Sequence, residues 1–207
     1  MAKLELKTVN ANFLSCAALL LLLNTSARAE MITNLNQLIG LPAYCKGTAS
    51  VREVSQDKTP FSEYIKKYGD SYKHLHHYCW ALLSEKIALQ NPSNAKFQLN
   101  IAIRDIDYFL RNNNNQKFVF LPEIYTTKAR IYFKLENNFD AVLNLKKSIE
   151  AKPNYIPAIT RLADHYILEG NIHEAIRIIE TGLLYSPNSN TLKKKLTELI
   201  EESSKSK

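Results

Sequence analysis

The first candidate for chemistry is a histidine-rich stretch from Tyr72 to Trp80, which reads Y-K-H-L-H-H-Y-C-W and holds three of the five histidines. On a helix, His74 and His77 lie one turn apart on one face, and a carboxylate such as Asp70 could complete a metal site. The alternative is structural, with the aromatic residues packing and the histidines filling polar edges. Because no second group of ligands accompanies the pair, we expect no metal and no cofactor.

The cysteines point to a covalent cross-link. Cys16 falls within a predicted export signal, which leaves Cys45 and Cys79 as an even pair. An even pair in an oxidising compartment predicts one disulfide. The alternative is two separate buried thiols. A bond closing this loop of roughly 34 residues would contribute about 3–4 kcal/mol, and it would hold segment 30–58 against the first long helix.

Sequence signatures of catalysis are missing. The chain has no G-x-S-x-G, no H-E-x-x-H, no phosphate-binding loop and no redox C-x-x-C. His173-Glu174 has no following histidine in register, and it fits the first turn of a helix better than a metal site. Asp105 and Asp107 are two residues apart, so on a helix they face different directions. We therefore expect no catalytic residues and a protein that is not an enzyme.

The amino terminus has the order of a secretory signal peptide. Lys3 and Lys7 precede an apolar run from Phe13 to Leu23, and Ala27-Arg28-Ala29 provides an A-x-A cleavage site before Glu30. The apolar run is about half as long as a bilayer span requires. We expect an exported protein, in a bacterial periplasm or secreted, with no stable membrane span after cleavage. The alternative is an uncleaved anchor.

Composition limits the class of fold and of partner. The chain has 207 residues, 45% of them hydrophobic and 23% charged, with a net charge of +7. These values are ordinary for a globular protein. Five glycines and seven prolines are too few for the many turns of a β-sandwich or barrel. No motif combining aromatic and basic residues accompanies the charge, so we expect no nucleic-acid partner.

Apolar spacing predicts helices through most of the chain. Thr59-Pro60 gives a helix start and Gly69 a helix stop. The stretches 72–89 and 94–111 carry apolar residues at helical intervals. Residues 30–58 show no sustained period apart from a short helix predicted near Leu35–Ile39.

The clearest signal is an internal repeat of 34 residues. Shifting segment 122–155 by 34 positions onto 156–189 gives 7 identities, where chance would give about 2. The identical pairs are Thr126 with Thr160, Ala129 with Ala163, Tyr132 with Tyr166, Asn137 with Asn171, Ala141 with Ala175, Pro153 with Pro187, and Asn154 with Asn188. A period of this length with two amphipathic helices is typical of a helix–turn–helix solenoid.

The two repeats resemble the tetratricopeptide repeat family, whose pattern is W-x2-L-G-x2-Y, then A-x3-F, then P. Lys128 departs from the expected leucine, and Ser148 and Gly182 replace a usual alanine, while the spacing is kept. The predicted framework consists of Tyr125, Ala129, Tyr132, Ala141, Pro153, Ala163, Tyr166, Ala175 and Pro187.

The predicted fold is therefore an all-α solenoid of about three helix pairs with a capping helix. Terminal members of such arrays are usually atypical. The predicted divisions are a signal peptide (1–29), a disulfide-tethered segment with one short helix (30–71), an atypical first helix pair (72–121), two repeats (122–155 and 156–189), a capping helix (190–202) and a polar tail (203–207).

The resemblance implies a function in binding. In this family the first helix of each pair lines a concave groove that holds a peptide or a partner protein. By matching spacing, the groove residues here are Glu123, Thr126, Arg130, Phe133, Lys134, Thr160, Asp164, Ile167 and Leu168. The resemblance predicts a non-catalytic scaffold or adaptor of the cell envelope. The alternatives are that these residues are solvated helix faces, or that the protein binds a metal or cofactor near His74 and His77.

Overall fold

The computed structural model describes residues 31–205, so the signal peptide predicted over residues 1–29 lies outside the described part. Between residues 31 and 205 the chain is all-helical and has no strand. Its α-helices are α1 (Arg52–Ser55), α2 (Phe61–Tyr68), α3 (Leu75–Gln90), α4 (Ala95–Asn112), α5 (Leu121–Lys134), α6 (Asn138–Ala151), α7 (Ile156–Leu168), α8 (Ile172–Tyr185) and α9 (Asn190–Lys205). None of these helices is long and apolar enough to cross a membrane.

The helices from α3 onward pack in consecutive pairs. Helix α3 packs on α4, α5 on α6, and α7 on α8, and each pair contacts the next one along the chain. Helix α9 packs against α8 and α7. The pairs are joined internally by short turns, which place sequential helices side by side. Helix α9 continues past residue 202 into the predicted polar tail.

The two 34-residue repeats match in how their first helices end and in how their second helices begin. Asn137 and Asn171 each accept a hydrogen bond from the backbone N–H three residues on, which caps α6 and α8. The residues just before them, Glu136 and Gly170, have φ values of 61° and 71°. This left-handed conformation ends α5 and α7, and it is easier for Gly170 than for Glu136.

The departures from the repeat pattern have local explanations. Ser148, in place of alanine, donates a hydrogen bond to the Pro122 carbonyl at 2.7 Å. Lys128, in place of leucine, reaches Asp107 of α4 at 2.5 Å. A Cβ at Gly182 would lie 2.9 Å from Cδ1 of Ile159, so a larger residue at this helix contact would require the Ile159 side chain to shift.

The amino-terminal segment holds more helix than predicted. The short helix expected near Leu35–Ile39 is a 3-10 turn over Leu35–Leu38, and a second 3-10 turn covers Ala43–Gly47. Gly69 ends α2 with a φ of 85°. Ile32, Leu38 and Val51 are buried against Trp80 and Leu83 of α3, so α3 provides the apolar surface on which this segment folds. A disulfide joins Cys45 to Cys79 with a sulfur–sulfur distance of 2.11 Å.

Candidate functional site

The first helices of the three pairs, α3, α5 and α7, contact one another in series, and α7 contacts the last helix, α9. We call the surface that these helices form together the inner surface. Three contacts connect its members: Arg130 of α5 with Glu85 of α3, Phe133 of α5 with His165 of α7, and Asp164 of α7 with Lys195 of α9.

A buried carboxylate organises the positive charge of the inner surface. Glu85 has a side chain only 6% exposed, and it accepts two hydrogen bonds from Arg130, from Nε at 2.7 Å and Nη2 at 2.6 Å. It also accepts one from Lys134 Nζ at 2.7 Å. Burial alone would raise the pKa of Glu85, but the hydrogen bonds and charges of Arg130 and Lys134 outweigh it and hold the pKa below its usual value. Glu85 is therefore ionised, and it fixes both cations in place.

A second carboxylate ties the amino-terminal segment to the inner surface. Glu123 Oε1 accepts hydrogen bonds from the hydroxyls of Tyr44 at 2.6 Å and Tyr78 at 3.1 Å. The Tyr78 hydroxyl also lies 2.9 Å from Thr127 Oγ1. Burial, together with the negative charge of Glu123, raises the pKa of Tyr78 well above its usual value, so this hydroxyl keeps its proton.

Residues 39–44, which we call the strap, run alongside α3 and α5. Lys86 Nζ donates to the Ile39 carbonyl at 2.9 Å, and the Tyr72 hydroxyl donates to the Tyr44 carbonyl at 2.7 Å. The Tyr44 ring packs on Phe120 with centroids 4.3 Å apart. Tyr44 precedes the disulfide-bonded Cys45, so the strap is held both by hydrogen bonds and by a covalent bond.

The strap, α3 and α5 border an open groove of about 610 Å³, which we call the strap groove. Its apolar side includes Ile39 and Leu89, each 66% exposed. Its lining consists of Ile39, Gly40, Leu41, Pro42, Tyr78, Leu82, Glu85, Lys86, Leu89, Glu123, Thr127, Arg130 and Lys134.

A smaller concavity of about 370 Å³ lies further along the inner surface, between α5 and α7. We call it the distal pocket. Leu168, at the end of α7, is 86% exposed at its edge. The pocket is lined by Phe133, Asn138, Arg161, Asp164, His165, Leu168 and Glu169.

The predicted groove residues divide between these two concavities, with exceptions. Glu123, Arg130 and Lys134 line the strap groove, and Phe133, Asp164 and Leu168 line the distal pocket.

Two of the three exceptions contact other helices, and the third bonds within its own helix. Thr126 is 4% exposed and its hydroxyl lies 2.9 Å from that of Ser148 of α6, so it lies at a helix contact. Ile167 packs against the core between α7 and α8. The Thr160 hydroxyl donates to the Ile156 carbonyl of its own helix at 3.0 Å.

The predicted framework residues lie where the helices meet. All four alanines are fully buried: Ala129, Ala141, Ala163 and Ala175. Three tyrosines are partly buried against apolar clusters: Tyr125, Tyr132 and Tyr166. Pro153 and Pro187 lie in the turns that follow α6 and α8. The four alanines are thus small residues at buried helix positions, and a proline follows the second helix of each repeat.

The predicted metal candidates point to different partners. His77 Nδ1 lies 3.0 Å from Asp105 Oδ1 of α4, while Asp70 pairs with Lys73 at 2.6 Å. The His74 ring lies edge-on to the Tyr108 ring, with the ring centroids 6.4 Å apart. Within residues 31–205, no group of three His, Cys, Asp or Glu side chains is placed to hold a metal ion. Asp105 is therefore the partner of His77 that the spacing in sequence did not identify.

Several residues of the site could not be read from the repeat pattern. Tyr44 belongs to a segment without periodicity, and Glu85 belongs to the atypical first pair. The signal that pointed to the strap was the cysteine pair, because a bond from Cys45 to Cys79 brings Tyr44 next to α3.

The fold and the inner surface define an all-helical protein of consecutive helix pairs. Comparison with known proteins gives no match, either to a protein-family model or to a curated sequence.

Proposed function

We propose that this chain is an exported, non-catalytic protein of the tetratricopeptide type, which binds a peptide or a partner protein along its inner surface. The observation that carries the proposal is the series of contacts that runs through the three first helices to α9, from Glu85 through Arg130 and Phe133 to Asp164 and Lys195. A series of this kind is expected when helix pairs stack into a solenoid with one continuous binding face.

The chemistry of the inner surface supports binding. Arg130 and Lys134 are about one-third exposed, at 32% and 30%, and Glu85 fixes their positions before any partner arrives. Fixed side chains lose little conformational entropy on binding, so a preformed surface binds more tightly than a flexible one of equal area. Leu168 adds a large exposed apolar side chain at the distal pocket. Exposed apolar groups beside fixed charges are typical of partner sites.

Two observations support the proposed export. The first is the order of charged, apolar and small residues at the amino terminus. The second is the Cys45–Cys79 disulfide, a bond that persists in oxidising compartments such as a bacterial periplasm.

The experiment compares partner capture by two variants matched in chemistry and exposure. Leu168→Ser changes the inner surface, and Leu184→Ser changes an equally exposed leucine (80% against 86%) on a second helix. Purified wild-type and variant chains are incubated with envelope extract of the native host, cross-linked, and analysed by quantitative mass spectrometry. We expect a protein that is enriched by the wild type and by Leu184→Ser and lost with Leu168→Ser. Equal capture by all three chains would reject the inner surface as the site.

A further inference from the structure

The strap groove has two chemically different sides. Ile39, Leu41 and Pro42 of the strap and Leu82 and Leu89 of α3 form an apolar side. Ile39 and Leu89 are two-thirds exposed although the strap and α3 already meet there. Burying apolar surface of this kind gains a free energy of about 25 cal/mol for each Å² removed from water. An occupant with an apolar portion would recover this free energy.

The opposite side of the groove carries unsatisfied positive charge. Glu85 uses Nε and Nη2 of Arg130 and one Nζ hydrogen of Lys134. The Nη1 group of Arg130 and the other hydrogens of Lys134 have no acceptor among the described residues. One carboxylate against two cations leaves this cluster with a surplus of positive charge, and Lys86 adds another cation at the rim.

Glu123 lies on the same helix as Arg130, and its negative charge acts on the Arg130 guanidinium, so it offsets part of this surplus. It accepts the hydroxyls of Tyr44 and Tyr78, and these bonds hold the strap in place. The anion-attracting end of the groove is therefore the end of α5 that bears Arg130 and Lys134.

The dimensions of the groove suit a small occupant. Its volume of about 610 Å³ lies within the range of small-molecule sites, and the groove is open to solvent along one side. The apolar stretch of α3 from Leu82 to Leu89 is about 10 Å long at the helical rise per residue. A single extended chain can lie along it.

We propose that the strap groove is a binding site for a long-chain carboxylate, with its head group at Arg130 and Lys134 and its alkyl chain between the strap and α3. This site goes beyond the partner binding proposed above, and it does not depend on the distal pocket.

Calorimetric titration of the purified, disulfide-bonded chain with sodium dodecanoate tests the site, with the ligand kept below its micellar concentration. Sodium butyrate has the same head group without the chain, and dodecyltrimethylammonium has the chain with the opposite charge. We expect saturable one-site binding of dodecanoate, with binding of both comparison compounds at least about tenfold weaker. No saturable binding of dodecanoate, or equal binding of the cationic compound, would overturn the proposal.

Two variants with matched controls locate the site. Lys134→Gln removes a head-group contact and Ile39→Ser removes apolar surface, and each should weaken dodecanoate binding about fivefold. Lys147→Gln and Leu184→Ser change exposed residues elsewhere and should leave it unchanged. Equal losses in the controls would overturn the assignment. Because partner capture is tested through Leu168, failure of one proposal is distinguishable from failure of the other.

Discussion

Replacing Glu85 with glutamine removes the negative charge that holds Arg130 and Lys134 together. The substitution keeps the size of the side chain, so the expected effect is electrostatic. Glu174 offers a matched comparison, because its carboxylate also accepts two hydrogen bonds from one arginine, Arg177, at 2.8 and 2.5 Å. The two ion pairs differ in environment, since the side chains of Glu85 and Arg130 are 6% and 32% exposed, whereas those of Glu174 and Arg177 are 25% and 63% exposed.

The difference in environment sets the expected magnitudes. Removing one partner of a fully buried ion pair costs about 3–5 kcal/mol, whereas an exposed pair contributes about 0–1 kcal/mol. Arg130 and Lys134 are about one-third exposed and can turn toward water when Glu85 is lost. We therefore expect Glu85→Gln to lower the free energy of unfolding by about 2 kcal/mol, and Glu174→Gln by less than about 1 kcal/mol.

Urea denaturation followed by circular dichroism measures both values. With a slope of about 2 kcal/mol per molar urea, Glu85→Gln should shift the midpoint by about 1 M without changing the slope. Equal midpoint shifts for Glu85→Gln and Glu174→Gln would refute the argument that burial makes the Glu85 cluster a fixed element of the inner surface.

Three further substitutions test other parts of the structure. Burial, with a smaller contribution from the neighbouring His77, lowers the pKa of His76 from 6.5 to about 4. The unfolded chain binds the extra proton between these values, so stability should fall by up to about 3 kcal/mol as the pH drops from 6.5 to 4, and denaturation of His76→Gln across that range should show a smaller loss. Gly182→Ala should lower the thermal midpoint because overpacking against Ile159 costs about 1–3 kcal/mol, more than the gain in helix propensity. Replacing both bonded cysteines with serine should cost about 3–4 kcal/mol in urea denaturation, by release of the 34-residue loop. No loss in that double variant would contradict a tethering role for the disulfide.

The sequence predicted the helices of the two repeats because their contacts are short-range and periodic. Ala129 and Ala163 mark the close helix contacts, and Asn137 and Asn171 mark the second helices at a fixed spacing. Each of these signals depends on residues within one repeat, so single-sequence spacing is enough to find them.

The strap groove could not be predicted from spacing. Helix α3 buries the consecutive residues Tyr78, Cys79, Trp80 and Ala81, because the strap, α4 and α5 cover it on several sides. The helical spacing of stretch 72–89 predicted this helix, but a helix covered on several sides has no single apolar face that would mark it as the floor of a groove. Glu85 is separated from Arg130 by 45 residues, and only the fold brings them together.

The central claim is that a partner binds along the inner surface. Site-specific photo-cross-linking in the native host tests it most directly, with a benzophenone side chain introduced at Leu168 or at Leu184. We predict a discrete cross-linked product of defined mass from position 168 and none from position 184. The same products from both positions, or none from position 168 when the protein is exported and folded, would contradict the claim.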